Sequence, residues 1–335
     1  MMSRSSTILA TVSLSVGLAA IVAVIAETHV SPRSLVASLF TVDRAASVRF
    51  TLCMAVNIFL SSWKWRLTDE ALRGDDEQRL SADLAFAATA FGATLGQVLP
   101  APVSMAAART IASTFYGKAL RRGTFATIFE QAFDVIALCL LTIPSLLTCA
   151  THRGAGTWLA VALPISCGAL WGISKVLDWV FRIPASLERD SHWKRTIAKI
   201  ESAGLLQPVL ARKLMALAFA RFAINVLTAN QTTAAIHAII PAWYVALAMP
   251  LVLMAVVIGV TPGGIGLAES GYAGTLHFLG VPLATATTWA LATRVLSLLS
   301  TLVISIIAGA VVALSRLVAT TCAVGARNTE SLRSL

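Results

Sequence analysis

The sequence predicts an all-α protein, a polytopic bundle of transmembrane helices. Of its 335 residues, 57% are hydrophobic and 13% are charged, whereas soluble proteins have about 45–50% apolar and about 25% charged residues. The mean hydropathy is +0.79. The apolar residues also form runs near the ~20 residues with which a helix crosses a bilayer. Because no long polar segment remains for a soluble catalytic domain, we expect neither enzyme activity nor a cofactor.

The positive charge of the chain follows its membrane topology. The net charge is +10, and the Lys and Arg residues cluster between the apolar runs. Basic loops of membrane proteins lie in the cytoplasm and are attracted to anionic headgroups. We therefore expect membrane lipids as partners and no nucleic acid. The cysteines lack the spacing of a metal site, so no metal is predicted.

In the first half, the run at 8–26 is too long for the core of a signal peptide and predicts an uncleaved first helix. The second run ends at Trp63-Lys64-Trp65-Arg66, which we interpret as an interfacial anchor. The third run ends at Pro100-Ala101-Pro102, where the two prolines break the helix. A stretch rich in small residues follows as far as Gly117. We predict that the third run and this stretch form a hairpin that returns to the cytoplasmic side. The runs of this half are 8–26, 45–63, 81–99, 125–149 and 158–175.

The second half repeats this order. Its runs are 214–231, 241–260, 265–281 and 284–314, with a break at Pro262-Gly263-Gly264. Basic residues near both ends place both termini inside, so we count an even number of spans, about eight, including the two broken segments. A single domain, 1–320, then has halves 1–177 and 213–320, joined by a cytoplasmic loop at 178–212 and followed by a cytoplasmic tail at 321–335. Corresponding breaks in the two halves are typical of an inverted repeat around a central binding site.

One motif suggests a family. The run from Thr261 to Glu269 resembles the Pro-Gly-Gly-x-Gly-x-x-Glu signature of a flippase-like membrane family that includes the membrane half of lysylphosphatidylglycerol synthases. The family's other marks follow in order: a Pro-Gly break, an acidic pair at the start of a helix and an arginine in the last helix. Arg109 lies one place from the family's basic residue. The residues that match the family's motif positions are Pro100, Glu130, Asp134, Pro262, Gly263, Gly264, Gly266, Glu269 and Arg294.

The resemblance implies translocation of a lipid or lipid-linked glycan across the cytoplasmic membrane of a bacterium. The lipid is expected to be anionic or to bear a phosphate. The alternative is an accessory protein that does not transport and that binds a lipid-modifying enzyme or a glycosyltransferase. Aminoacyl transfer is not expected, because that reaction belongs to a soluble domain. The oligomeric state is left open.

The residues of the second motif have two interpretations. The turn at 262–266 exposes amides that would bind an anionic headgroup at a helix N-terminus, or it is a close-packed break between helices. Glu269 falls in the first turn of the next helix, where it stabilises the helix dipole or faces a cavity. Arg294 lies in an apolar helix and needs a distant partner or a phosphate, and Glu269 is the partner that we predict.

The first half has corresponding candidates. Glu130 and Asp134 are four residues apart and share a helix face, so their repulsion would favour a shared proton. Alternatively they lie at the cytoplasmic interface beside Arg121 or Arg122. Arg109 is the counterpart of Arg294 or extends to the interface.

Overall fold

The computed structural model describes residues 42–73, 79–114, 120–151, 154–186, 207–258 and 264–333. Over these residues the chain forms nine α-helices and no strand. The helices are α1 (Arg44–Ala71), α2 (Ala82–Leu95), α3 (Ala101–Thr114), α4 (Leu120–Thr151), α5 (Ala155–Ser186), α6 (Pro208–Ala235), α7 (Ala242–Ile258), α8 (Leu267–Phe278) and α9 (Leu283–Arg333).

The chain is a multi-pass membrane protein. Four of the described helices are long and apolar enough to cross a bilayer: Arg44–Ala71, Arg122–Thr151, Ala155–Ile173 and Leu283–Ser315. Helix α6 also has sufficient length, with 28 residues, but it is not among the four helices that are both long and apolar enough. The predicted span at 8–26 lies outside the described residues.

Two predicted boundaries differ from the structure. Helix α5 continues to Ser186 and α6 begins at Pro208, so both extend into the predicted loop at 178–212. Helix α9 continues through the predicted tail to Arg333. Charged residues mark where a sequence becomes unsuited to hydrocarbon, whereas a helix can continue into water with all its backbone hydrogen bonds intact. The cytoplasmic location of these segments stays a prediction.

Helix α1 shows how the bundle distributes polar and apolar side chains. Its buried face includes Asn57, Ser61, Lys64, Trp65 and Thr68, which recur at helical spacing. The opposite face exposes large apolar side chains at the same spacing, namely Leu52, Val56, Phe59 and Trp63. Such an arrangement suits a helix that faces lipid on one side and a polar interior on the other.

Helices α2 and α3 form the first hairpin. They run antiparallel, because Gly92 approaches Met105 while Thr89 accepts a hydrogen bond from Arg109. Each has 14 residues, about 21 Å at 1.5 Å per residue, which is less than the ~30 Å of bilayer hydrocarbon. The predicted hairpin is confirmed, and its return to the cytoplasmic side stays a prediction. Its break falls at a turn of residues 96–99, and Pro100 and Pro102 stand at the start of α3, where prolines are tolerated.

Helices α7 and α8 form the second hairpin. Gly264 approaches Val256 and Gly271 approaches Val252, so these helices are also antiparallel. Helix α8 has 12 residues, about 18 Å, which is too short to cross the bilayer alone. Both predicted breaks therefore mark hairpins.

The two halves have the order and packing of an inverted repeat. Helix α1, the first hairpin and α4 correspond to α6, the second hairpin and α9. Each hairpin packs on the long helix of the other half, α2 on α9 and α7 on α4. Helices α1 and α6 are antiparallel, since Arg49 binds Gln231 while Asn57 binds Asn225. The order and packing of the helices are thus those expected of an inverted repeat.

The turn before α8 requires glycine. Gly264 has φ of +66°, and a Cβ there would lie 2.9 Å from Cγ1 of Val256. Gly266 has φ of +81°. A left-handed backbone costs an L-residue about 1–2 kcal/mol, and the steric overlap at Gly264 adds to that cost.

We predict that Gly264→Ala lowers the free energy of unfolding by about 1–2 kcal/mol or more. The matched control is Gly274→Ala in α8, where a Cβ meets no atom within 4 Å and alanine is the better helix former. Thermal unfolding of both variants, purified in detergent, measures the difference. Equal melting temperatures for the two variants would contradict the assigned turn.

Candidate functional site

A cavity of about 380 Å³ lies between the two halves of the bundle. That volume is within the ~300–1,000 Å³ typical of small-molecule sites. Its walls are largely apolar, and polar side chains are interspersed among them. The polar and charged residues that line it are Asn57, Ser61, Thr89, Gln97, Arg221, Asn225, Thr228, Glu269, Tyr272, Thr293, Arg294, Ser297 and Thr301.

An ion cluster of five charged residues lies beside this cavity. It joins Lys64 of α1, Arg109 of α3, Glu130 and Asp134 of α4, and Arg221 of α6. Lys64 Nζ lies 2.6 Å from Asp134 Oδ1 and 3.3 Å from Glu130 Oε2. Arg109 pairs with Glu130, and Arg221 pairs with Asp134. Three cations therefore face two carboxylates, and the ion cluster has a formal net charge of +1.

Arg109 is held inside the bundle by several partners. It donates hydrogen bonds to Ser61 O at 3.0 Å, to Ser61 Oγ at 2.8 Å and to Thr89 Oγ1 at 3.2 Å. Its guanidinium also lies 5.2 Å from the ring centroid of Trp65. The side chain is fully buried and is not among the residues that line the cavity. Arg109 therefore does not extend to the interface, and it supports the cavity wall from behind.

Glu130 and Asp134 share a helix face, as predicted, and both have cationic partners. Lys64 lies between them, so the repulsion that would favour a shared proton is offset. Arg122 instead contacts Asp69, with Nε 3.5 Å from Oδ1. The side chain of Arg121 lies outside the described residues.

The interpretation of Lys64 and Trp65 as an interfacial anchor is wrong. Both side chains are fully buried, whereas Trp63 is 48% exposed. Consecutive residues on a helix are about 100° apart, so neighbours in one aromatic and basic run face different surroundings. The useful signal was the polar stripe of Asn57, Ser61 and Lys64 at spacings of four and three residues.

The second polar group joins the two hairpins through Arg294. Its Nε lies 3.5 Å from Glu269 Oε1, so the predicted pair is confirmed. Its Nη2 donates a hydrogen bond of 2.6 Å to the carbonyl oxygen of Gln97, in the turn of the first hairpin. Arg294 thus connects the turn of one hairpin to the first helical turn of α8 in the other.

The Glu269 carboxylate also closes the turn before α8. Its Oε2 accepts a hydrogen bond of 2.7 Å from the backbone N–H of Gly266. That amide is therefore occupied by the protein's own carboxylate, and Gly264 is buried. Pro262 and Gly263 lie outside the described residues. Glu269 both stabilises the helix start and lines the cavity, so its two interpretations are compatible.

Sequence reasoning missed Arg221, Lys64 and Asn57 as site residues. Arg221 Nε donates a hydrogen bond of 3.0 Å to Asn57 Oδ1, and Asn57 in turn donates to Asn225. Arg221 is an ionisable residue within a run predicted to span the membrane, and such a residue is by default a functional candidate. That signal was present in the sequence.

The chain matches one family model. The model of the lysylphosphatidylglycerol synthase TM region matches residues 10–305, well over half of the chain. No curated protein and no solved structure matches the chain. The match includes every described member of the ion cluster, both hairpins and Arg294.

We predict that Glu130→Gln strongly destabilises the bundle, because it leaves Arg109 and Lys64 short of a counter-ion at a fully buried position. Breaking a buried pair by removing one partner costs on the order of 3–5 kcal/mol. Glu70→Gln is the control, since Glu70 pairs with Arg79 at 3.2 Å while both side chains are more than half exposed, and such pairs contribute about 0–1 kcal/mol. Denaturant unfolding in mixed micelles compares the variants. If Glu130→Gln and Glu70→Gln lost the same unfolding free energy, the ion cluster would not be buried.

Proposed function

The chain belongs to the lysylphosphatidylglycerol synthase transmembrane family, and from that premise we propose that it moves the headgroup of a lipid, or of a lipid-linked glycan, across the bilayer. The activity is transport and not aminoacyl transfer or other catalysis. The membrane is the cytoplasmic membrane of a bacterium, where such lipids are made. An anionic or phosphate-bearing lipid is the substrate class.

The observation that carries this proposal is the cavity itself. It lies between two halves arranged as an inverted repeat, and it combines apolar walls, such as Met54, Met249 and Leu253, with charged Arg221, Glu269 and Arg294. A lipid needs both kinds of surface, because its chains stay in hydrocarbon while its headgroup avoids it. Polar groups inside a bundle lower the barrier to headgroup passage, and inverted repeats commonly alternate access around a central site.

Arg294 supplies a physical coupling between the headgroup and the hairpins. Its guanidinium contacts Glu269 and the Gln97 carbonyl, and a phosphate is a stronger, bidentate partner for arginine than a backbone carbonyl. A phosphate that enters the cavity would compete for these donors. The connection between the two hairpins would then weaken as the substrate binds, which would allow the halves to move relative to each other.

The experiment is a lipid-exchange assay with purified protein in sealed vesicles. A trace of fluorescent lipid is placed in both leaflets, and an impermeant quencher reports how fast the inner-leaflet label becomes accessible. Phosphatidylglycerol and a polyprenyl phosphate are tested. We expect the protein to accelerate exchange above that in empty vesicles.

We predict that Arg294→Gln slows this exchange roughly tenfold or more, the effect of losing a charge-assisted hydrogen bond. Arg49→Gln is the matched control, because Arg49 is an arginine whose Nε contacts Gln231 at 3.0 Å and which does not line the cavity. The control should exchange lipid at the wild-type rate. Exchange at the rate of empty vesicles, for every lipid tested with the wild-type protein, would exclude transport and support the accessory role.

A further inference from the structure

The ion cluster has one more cation than carboxylates among its five members. An uncompensated charge inside a bilayer is costly, so the surroundings should provide a counter-ion or be built to receive one. Among the described residues, the other charged pair that lines the cavity is Arg294 with Glu269, which is neutral and does not provide a counter-ion. The excess positive charge is therefore available to a ligand.

Arg221 presents this charge to the cavity. Among the described members of the ion cluster, it alone lines the cavity. Its Nη1 pairs with Asp134 and its Nε donates to Asn57. Its Nη2 makes no hydrogen bond to the described residues, and its side chain is 19% exposed. The guanidinium thus has donors left for a ligand.

A second donor lies next to Arg221 on the same helix. Asn225 follows by four residues, about one helical turn, and also lines the cavity. The Oδ1 of Asn225 accepts a hydrogen bond from Asn57, and the Asn225 amide group donates to none of the residues that the structure describes. A guanidinium and an amide that both donate form a site for an oxyanion, and phosphate oxygens accept such paired hydrogen bonds.

We propose that Arg221, with Asn225, forms an anion site that selects phosphodiester lipids whose headgroup has a net negative charge. This inference rests on the proposed function and specifies its substrate. A zwitterionic headgroup brings its own cation and leaves the excess charge of the ion cluster uncompensated. A net anionic headgroup neutralises it. The apolar walls at Phe50, Met54 and Ile58 suit the acyl chains of the same molecule and not a free phosphate.

The ion cluster should tolerate substitution of Arg221. Without Arg221, Lys64 and Arg109 face Glu130 and Asp134, so two cations face two carboxylates. Asp134 keeps its contact of 2.6 Å with Lys64. Arg221→Gln therefore removes the excess charge without leaving a carboxylate unpaired. Arg221→Lys keeps the charge and loses the planar donor set.

The test is equilibrium binding to detergent-solubilised protein, followed by tryptophan fluorescence. Short-chain phosphatidylglycerol is compared with phosphatidylcholine of the same chain length, at fixed ionic strength. We expect the wild-type protein to prefer phosphatidylglycerol roughly tenfold, as a charge-assisted hydrogen bond predicts. Arg221→Gln should bind both lipids equally, and Arg221→Lys should keep part of the preference. Arg49→Gln, outside the cavity, should bind as the wild-type protein does.

Several outcomes would overturn the inference. Equal affinity of the wild-type protein for both lipids would do so, as would an unchanged preference in Arg221→Gln. Inorganic phosphate that displaces phosphatidylglycerol at equal concentration would show that the site takes a free anion instead. Binding with the expected selectivity but without exchange in vesicles would reject transport and leave the anion site intact, so the two proposals fail separately.

Discussion

The structure depends on the pairing of charges that it has removed from water. Lys64, Arg109 and Glu130 are fully buried, and each charge in such a place must have a partner, because an unpaired ion within a membrane protein costs several kcal/mol. The partners come from α1, α3, α4 and α6, so one ion cluster fixes four helices from both halves. Lys64 lies at its centre, where it contacts both carboxylates of α4.

The two re-entrant hairpins complete the cavity from the other side. Neither α2 nor α8 is long enough to cross the bilayer alone, and irregular backbone at membrane depth persists only where protein groups satisfy it. In the first turn, Arg294 donates a hydrogen bond to the Gln97 carbonyl oxygen. In the second turn, Glu269 accepts a hydrogen bond from the Gly266 amide. Since Arg294 and Glu269 also contact each other, a ligand that binds either residue affects both turns. The same two residues therefore stabilise both turns.

The sequence was sufficient to predict the membrane bundle, the first hairpin, the break in the second half and the pair formed by Arg294 and Glu269. Apolar runs and helix breaks at proline and glycine can be predicted from neighbouring residues alone. The pair could be predicted because a cation in an apolar helix needs a partner, even a distant one. The ion cluster was not predicted as a unit, because its members are up to 157 residues apart, between Lys64 and Arg221, and their contacts depend on helix packing. Lys64 was assigned to the interface because an aromatic and basic run does not reveal which face of its helix is buried. Helix ends beyond the apolar runs were also missed, since hydropathy marks the edge of the bilayer and not the end of a helix.

A double-mutant cycle between Arg109 and Glu130 tests most directly whether the buried ion cluster is one cooperative unit. Arg109→Met leaves Glu130 without its arginine and lowers the formal charge of the ion cluster from +1 to 0, whereas Glu130→Gln leaves Arg109 without its carboxylate and raises the charge to +2. Together the two substitutions remove both partners of one ion pair and return the cluster to its original net charge. We predict that the double variant loses less unfolding free energy than the sum of the single losses, by about 1 kcal/mol or more. Losses that add to within about 0.5 kcal/mol would contradict the account, because they would mean that the two residues act independently.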